Sequence, residues 1–210
     1  MNTNEETFDR VLRGTMFEPQ QGRARNGAAS RQTKVHSIPA MLRDRGFAGR
    51  FEVSGVTYKF RYAPAKASLS DGKLMLEGKF SIGGATKARA SDVKATLLAA
   101  QGGIGTAPPR QKLPPEITVA KPDLPIVEST GSLSFAGVMY FKLSAVNARL
   151  LGIPADMTQV QLNVRMAPIN EVERSVQAAF SSVVDSTYGK EVDRSGSEAA
   201  VRELNTLLAG

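Results

Sequence analysis

Apolar and polar side chains alternate from residue 50 onwards, and this alternation is the clearest pattern in the chain. Ser54-Gly55 interrupts it, as a two-residue hairpin loop would. With the loop at 54–55, Val53 lies opposite Val56 and Phe51 opposite Tyr58, which puts all the apolar residues on one face. The pattern therefore predicts an antiparallel β-hairpin. Its apolar residues are Phe51, Val53, Val56, Tyr58, Phe60 and Tyr62.

The alternation continues towards residue 100. After an Asp71-Gly72 turn, apolar residues or glycine recur at every second position over 74–82, which extends the hairpin into a meander. Residues 93–99 add a further strand, although the same stretch also fits a helix beginning at Ser91. We assign residues 49–100 to a first β-meander.

A similar pattern returns later in the chain. Gly55, Val56 and Tyr58 recur at a constant offset of 82 residues as Gly137, Val138 and Tyr140. A hairpin over 133–140 and an alternating strand over 160–166 form a second β-meander, residues 126–168. The recurrence indicates an internal duplication, unless two unrelated hairpins simply obey the same turn chemistry.

Two amphipathic helices are predicted in residues 169–210. Asn170 can cap the first, Glu173 completes a capping box, and the second begins near Ser197. Together with the meanders, they predict a mainly β protein, a sandwich or irregular barrel with C-terminal helices. The alternative is an α+β arrangement in which the helices lie across one sheet face.

The remaining segments are predicted to connect or extend this β-rich body. Residues 1–48 are assigned to short helices over 3–13 and 37–46 and to a flexible, basic N-terminal arm over 18–36. Residues 101–125 hold three glycines and six of the eleven prolines, which indicates a semi-extended connector. Residues 49–210 are expected to form one globular unit.

The composition excludes several kinds of reactive and metal-binding site. The chain has no Cys, one His and a net charge of +7, so disulfides, thiolate nucleophiles and Cys-based metal sites are excluded. No basic-then-apolar signal segment opens the chain, and no apolar run reaches the roughly 18–20 residues of a membrane helix. We predict a cytoplasmic protein with no membrane partner.

No catalytic residue, cofactor site or metal site is predicted. His36 is the only imidazole and lies in the predicted arm, and Ser37 beside it is better explained as a helix cap. Gly103-Ile104-Gly105 is followed by Pro108-Pro109 and lacks the glycine that opens a nucleotide-binding helix. The segment that begins at Glu191 resembles the start of a calcium-binding loop, but Arg202 stands at the twelfth position, where such a loop requires a bidentate Glu.

Two groups of residues are candidates for binding. The arm carries Lys and Arg side chains with no acid between residues 19 and 43, and these could contact a partner or phosphates: Arg23, Arg25, Arg31 and Lys34. Aromatic residues of the two meanders could line an apolar pocket, although alternating aromatics more often fill a core: Tyr58, Phe60, Tyr62, Tyr140 and Phe141.

These features lead us to expect a non-enzymatic interaction or structural protein. It would dock a protein partner, or another copy in an assembly, through the arm, the proline-rich connector or a sheet edge. One alternative is a carrier of a small apolar ligand in a β-barrel or sandwich pocket. The other is a nucleic-acid-binding protein that uses the basic arm.

Overall fold

The computed structural model describes residues 33–83, 89–101, 137–188 and 193–210, which belong to one compact unit, Gln32–Gly210. Its strands are β1 (Thr33–Lys34), β2 (Ser37–Arg43), β3 (Gly46–Val53), β4 (Val56–Ser70), β5 (Lys73–Gly83), β6 (Arg89–Gln101), β7 (Val138–Leu143), β8 (Ala155–Asp156) and β9 (Gln161–Arg165). Its helices are α1 (Ala148–Leu151), α2 (Glu171–Tyr188) and α3 (Arg194–Ala209). The mainly β prediction is confirmed.

Seven strands close into a barrel in the order β2-β3-β4-β5-β6-β7-β9. Neighbouring strands run antiparallel except for β2 and β9, whose parallel pairing closes the ring. A separate two-stranded parallel pair joins β1 to β8. Strands from both predicted meanders therefore contribute to a single barrel.

The first hairpin has the predicted register. Val53 pairs with Val56 and Phe51 with Tyr58 across the β3–β4 turn. Ser54 and Gly55 both have positive φ, 51° and 79°, the backbone twist that two-residue hairpin loops require. Residues 93–99, for which the sequence allowed a strand or a helix beginning at Ser91, belong to strand β6.

The helix predicted over 37–46 is wrong, because Ser37–Arg43 forms β2. Its buried and half-buried residues alternate strictly, with Ile38 and Leu42 fully buried. In so short a segment the apolar residues fit either period. Pairing with β3 on one side and β9 on the other decides for the strand.

The second half of the chain departs from a simple repeat of the first. β7 pairs with β6 along one edge and with β9 along the other. Its predicted hairpin partner, residues 133–135, lies outside the described residues, and both edges of β7 are already occupied. The duplication therefore stays a prediction.

The two long helices cover one end of the barrel and its flank. The first turn of α2 contacts the β2–β3 turn, where Asp44 N donates to the Glu173 carboxylate at 3.0 Å. Its last residue, Tyr188, contacts β5 and β6: the Tyr188 hydroxyl accepts from Leu74 N and donates to Leu97 O. α3 packs against α2 and β4. It begins at Arg194 with Asp193 as its cap, a few residues before the predicted start.

The opposite end of the barrel is covered by residues 144–160. This segment joins the end of β7 to the start of β9 and contains α1 and β8. Its residues Val146, Leu151, Ile153 and Met157 belong to the same buried apolar cluster as the barrel side chains. One continuous core therefore extends through the barrel and into both of its covers.

Side chains also cover the strand segments that project past their neighbours. β4 continues beyond its pairing with β3, and there Asn205 of α3 accepts from Ala67 N (2.6 Å) and donates to Ala67 O (2.9 Å). Beyond the β6–β7 ladder, Lys94 N donates to Ser144 Oγ at 3.0 Å and Ser144 N donates to Lys94 O at 2.7 Å. Because the barrel is closed and these backbone groups are already hydrogen-bonded, the structure gives little support to the predicted docking at a sheet edge.

Gly78 allows β5 to pass close to the bulge in β4, and Gly78→Ala tests this approach. A Cβ built on Gly78 overlaps the backbone of Ala63 and Pro64, whereas one on Gly83 of the same strand meets only Lys59 O, at 4.0 Å. We expect Gly78→Ala to lower the free energy of unfolding by about 1–3 kcal/mol, because strands must shift. Urea unfolding of both variants measures this, and equal losses for Gly78→Ala and Gly83→Ala would contradict it.

Candidate binding groove

A groove of about 550 Å³ lies on the outer surface of the barrel. We call it the polar groove. Its lining residues are His36, Lys73, Thr96, Leu98, Lys142, Gln159, Val160 and Gln161. A volume in this range is typical of ligand-binding sites.

Strand register places one row of polar side chains along the floor of the polar groove. Thr96 of β6 pairs with Lys142 of β7, which pairs with Gln161 of β9, which pairs with Ser37 of β2. Because side chains alternate across a strand, these residues face outward while their neighbours, such as Phe141, fill the core.

A bulge and a turn complete the lining towards β5. Leu97 pairs with Phe141 and Ala99 with Tyr140, so Leu98 between them has no partner in β7. The extra residue leaves Leu98 half-buried beside the polar groove. Lys73 is the first residue of β5, directly after the Asp71-Gly72 turn, and it lines the polar groove together with Leu98.

Hydrogen bonds hold the floor in place. Gln161 Nε2 donates to Asn163 Oδ1 at 2.5 Å, and both side chains are buried. Gln161 N donates to His36 O at 2.9 Å, which fixes the backbone of His36 beside β9. Next to this floor, Tyr140 donates to Gln101 Oε1 at 3.1 Å, and burial raises the pKa of the Tyr140 hydroxyl.

The lining of the polar groove is basic. Lys73 and Lys142 are both exposed, His36 adds an imidazole, and no Asp or Glu lies among the lining residues. Lys34 lies two residues before His36, at the end of the segment predicted to be a flexible arm. For residues 33–35 that prediction is wrong, because Thr33–Lys34 forms β1, which pairs with β8, and Val35 is buried.

A carboxylate close to Lys34 and His36, that of Asp156, is held by its own loop. Asp156 of β8 accepts from Thr158 N at 2.9 Å and from Thr158 Oγ1 at 2.7 Å. These bonds lower the pKa of the Asp156 carboxyl, and the charges of Lys34 and His36 lower it further. Asp156 therefore stabilises the loop beside the polar groove and is not part of its lining.

The structure separates the aromatic residues that were candidates for an apolar pocket. Phe60 stacks on Phe80 with ring centroids 5.1 Å apart, and Tyr58 stacks on Phe51 at 5.6 Å. Four of the five candidates lie on the inward face of the barrel, and Tyr140 lies on the outward face: Tyr58, Phe60, Tyr62 and Phe141 against Tyr140. They are not brought together around one space.

The other candidates from the sequence fall in different places. Lys34 lies in β1, while Arg23, Arg25 and Arg31 lie outside the described residues. So do Gly103-Ile104-Gly105 and Glu191. The described part of the calcium-like segment supplies Asp193, which accepts from Gly196 N at 3.1 Å as the cap of α3.

The lysines and glutamines of the polar groove were missed at the sequence level. Lys142 interrupts the apolar run of β7, and Gln161 and Asn163 are the polar positions of an alternating strand. Such residues look like an ordinary solvated face until the strand order is known. Only the register of four strands shows that they share one surface.

The polar groove is suited to binding anions. Lysine ammonium groups donate hydrogen bonds to carboxylate or phosphate oxygens, and the Thr96 hydroxyl and the Gln159 amide add neutral donors. Within the described ranges, no cluster of three His, Cys, Asp or Glu side chains could hold a metal ion. No helix in that part of the chain has both the length and the apolar character needed to cross a membrane.

Comparison of the chain with protein-family models, with curated proteins and with solved structures finds no match.

Proposed function

We propose that this protein is a non-enzymatic interaction protein that docks an acidic partner protein through the polar groove and the basic arm. One observation carries the proposal: the polar groove combines two exposed lysines and a histidine with no carboxylate in its lining. Arg23, Arg25, Arg31 and Lys34 of the predicted basic arm precede His36 of the groove in the sequence. Complementary charge of this kind favours encounter with an acidic surface.

The packing of the barrel supports surface binding over carriage of an apolar ligand. The aromatic residues available for an apolar pocket pack against one another or against other core side chains. α2 covers one barrel end and residues 144–160 the other. A carrier would need interior space that these side chains occupy.

A nucleic-acid partner is the second candidate, because a basic arm can also follow phosphates. Single-stranded nucleic acids are usually held by aromatic side chains that stack on the bases. The polar groove has no Phe, Tyr or Trp in its lining. Charge alone therefore supports this candidate, whereas the mixed lysine, hydroxyl and amide lining suits a peptide.

Binding of labelled poly-L-glutamate to the full chain tests the proposal. We expect saturable binding by fluorescence anisotropy that weakens as salt is raised. Replacing Arg23, Arg25, Arg31 and Lys34 with Gln should weaken it about tenfold, since ion pairs near a surface contribute up to about 1 kcal/mol each.

A control variant separates the effect of these particular residues from the effect of lowering the net charge. Replacing the exposed residues Arg149, Arg174, Arg194 and Arg202 with Gln removes the same charge elsewhere, and we expect less than a threefold change. Equal weakening by both quadruple variants, or no saturable binding of poly-L-glutamate, would overturn the proposal. Tighter binding of single-stranded DNA of equal charge would favour the nucleic-acid function instead.

A further inference from the structure

We infer that the polar groove holds an extended peptide whose acidic side chains are three residues apart. This inference rests on the proposed function and specifies what the partner presents. It comes from the distances that strand register imposes on the three basic positions of the groove. Lys73 lies at one end, Lys142 in the middle and His36 at the other end.

The polar groove crosses the strands instead of running along one. Lys73 lies on β5 and His36 directly precedes β2, with β6, β7 and β9 between them in the barrel. Four steps between neighbouring strands of about 4.8 Å each, with the three-residue offset that the register adds along the strands, give about 22 Å. An extended chain rises about 3.3 Å per residue, so about seven residues cover this length.

The register also sets the intervals between the basic positions. Lys142 pairs with Thr96 and Thr96 with Met75, which is two residues from Lys73. Two strand steps and a two-residue offset separate the Cα atoms of Lys142 and Lys73 by about 12 Å.

The interval on the other side is similar. Lys142 pairs with Gln161 and Gln161 with Ser37, the residue after His36. Two strand steps and a one-residue offset give about 10 Å. Three residues of extended peptide span about 10 Å, which matches both intervals within the reach of a lysine side chain.

The residues between the basic positions suit the main chain of such a peptide. Thr96 lies between Lys73 and Lys142, and Gln159 borders the interval between Lys142 and His36. Hydroxyl and amide groups can bond peptide N–H and C=O groups. Leu98, which is half-buried, provides apolar surface beside them for the intervening side chains.

Two labelled peptides of one composition test the spacing. The first is Glu-Gly-Ser-Glu-Gly-Ser-Glu and the second is Glu-Glu-Glu-Gly-Ser-Gly-Ser, each titrated with the full chain in fluorescence anisotropy. We expect the first to bind at least about fivefold more tightly, because only its carboxylates reach all three basic positions. The combined Lys73→Gln and Lys142→Gln variant should weaken its binding at least about tenfold.

Matched variants complete the test. Lys59→Gln with Lys79→Gln removes two exposed lysines from other parts of the outer surface, and we expect a change below twofold. Lys142→Arg keeps the charge and should bind as the wild type does. Since Lys73 and Lys142 are both exposed, their replacement removes no buried contact.

Two results would overturn the inference: equal affinity for the two peptides, or wild-type affinity in the Lys73→Gln, Lys142→Gln variant. If the two peptides bound equally but the Lys73→Gln, Lys142→Gln variant still weakened the binding of poly-L-glutamate, the proposed function would stand while the spacing inference failed. If poly-L-glutamate did not bind at all, both would fail.

Discussion

Phe47→Ala is expected to lower the free energy of unfolding by about 3–5 kcal/mol, the range for removing a large buried aromatic side chain. Phe47 is fully buried, and its ring lies 6.0 Å from Tyr62, 5.5 Å from Phe141 and 5.8 Å from Phe180, centroid to centroid. These partners belong to β4, β7 and α2. The substitution therefore opens a cavity at the point where the barrel wall meets its helical cover.

Urea unfolding followed by circular dichroism measures this loss. Val56→Ala is the control, because Val56 lies in the same β3–β4 hairpin but is 51 % exposed, and we expect a change below about 0.5 kcal/mol. A loss below about 2 kcal/mol for Phe47→Ala would contradict the packing of α2 onto the barrel through this ring.

Local chemistry explains which elements the sequence could predict. In the β3–β4 hairpin, a two-residue loop fixes the register, and the pattern is complete within about a dozen residues. The cap of α2 is equally local, since Asn170 Oδ1 accepts from Glu173 N at 2.8 Å. The hairpin register and the Asn170 cap depend only on neighbours in the chain, and both are confirmed. The predicted capping box is wrong, because the Glu173 carboxylate accepts from Ile169 N and Asp44 N and not from Asn170 N.

β2 shows where local reasoning fails. Its partners β3 and β9 are separated by more than a hundred residues along the chain, and only their joint pairing makes the segment a strand. Asn205 is a second case. Nothing in the sequence of an amphipathic helix indicates that one amide will bond both backbone groups of Ala67, 138 residues away.

The polar groove could not be predicted for the same reason. Its lining comes from five separate stretches of the chain, namely His36, Lys73, 96–98, Lys142 and 159–161. Each alone looks like a solvated position on a strand or turn. The basic arm stays a prediction, made because Arg23, Arg25, Arg31 and Lys34 follow one another with no acid between residues 19 and 43. That its last residue, His36, lies beside a groove depends on barrel closure.

Glu173→Ala is expected to lower the free energy of unfolding by about 2–4 kcal/mol. The Glu173 side chain is only 1 % exposed, and its carboxylate accepts from Asp44 N at 3.0 Å and from Ile169 N at 2.8 Å, with Arg43 Nη1 3.7 Å away. The substitution leaves two backbone N–H groups without their acceptor, each at about 1–3 kcal/mol. It also releases the β2–β3 turn from α2.

Glu171→Ala is the matched control in the same first turn of α2. Glu171 is 82 % exposed and bonds only Arg174 through its carboxylate, so we expect a loss below about 1 kcal/mol. Glu173→Gln keeps one acceptor oxygen but loses the charge, and it should fall between the two Ala variants. If Glu173→Ala and Glu171→Ala were equally stable, Glu173 would act only as a first-turn charge on α2 and not as its attachment to the barrel.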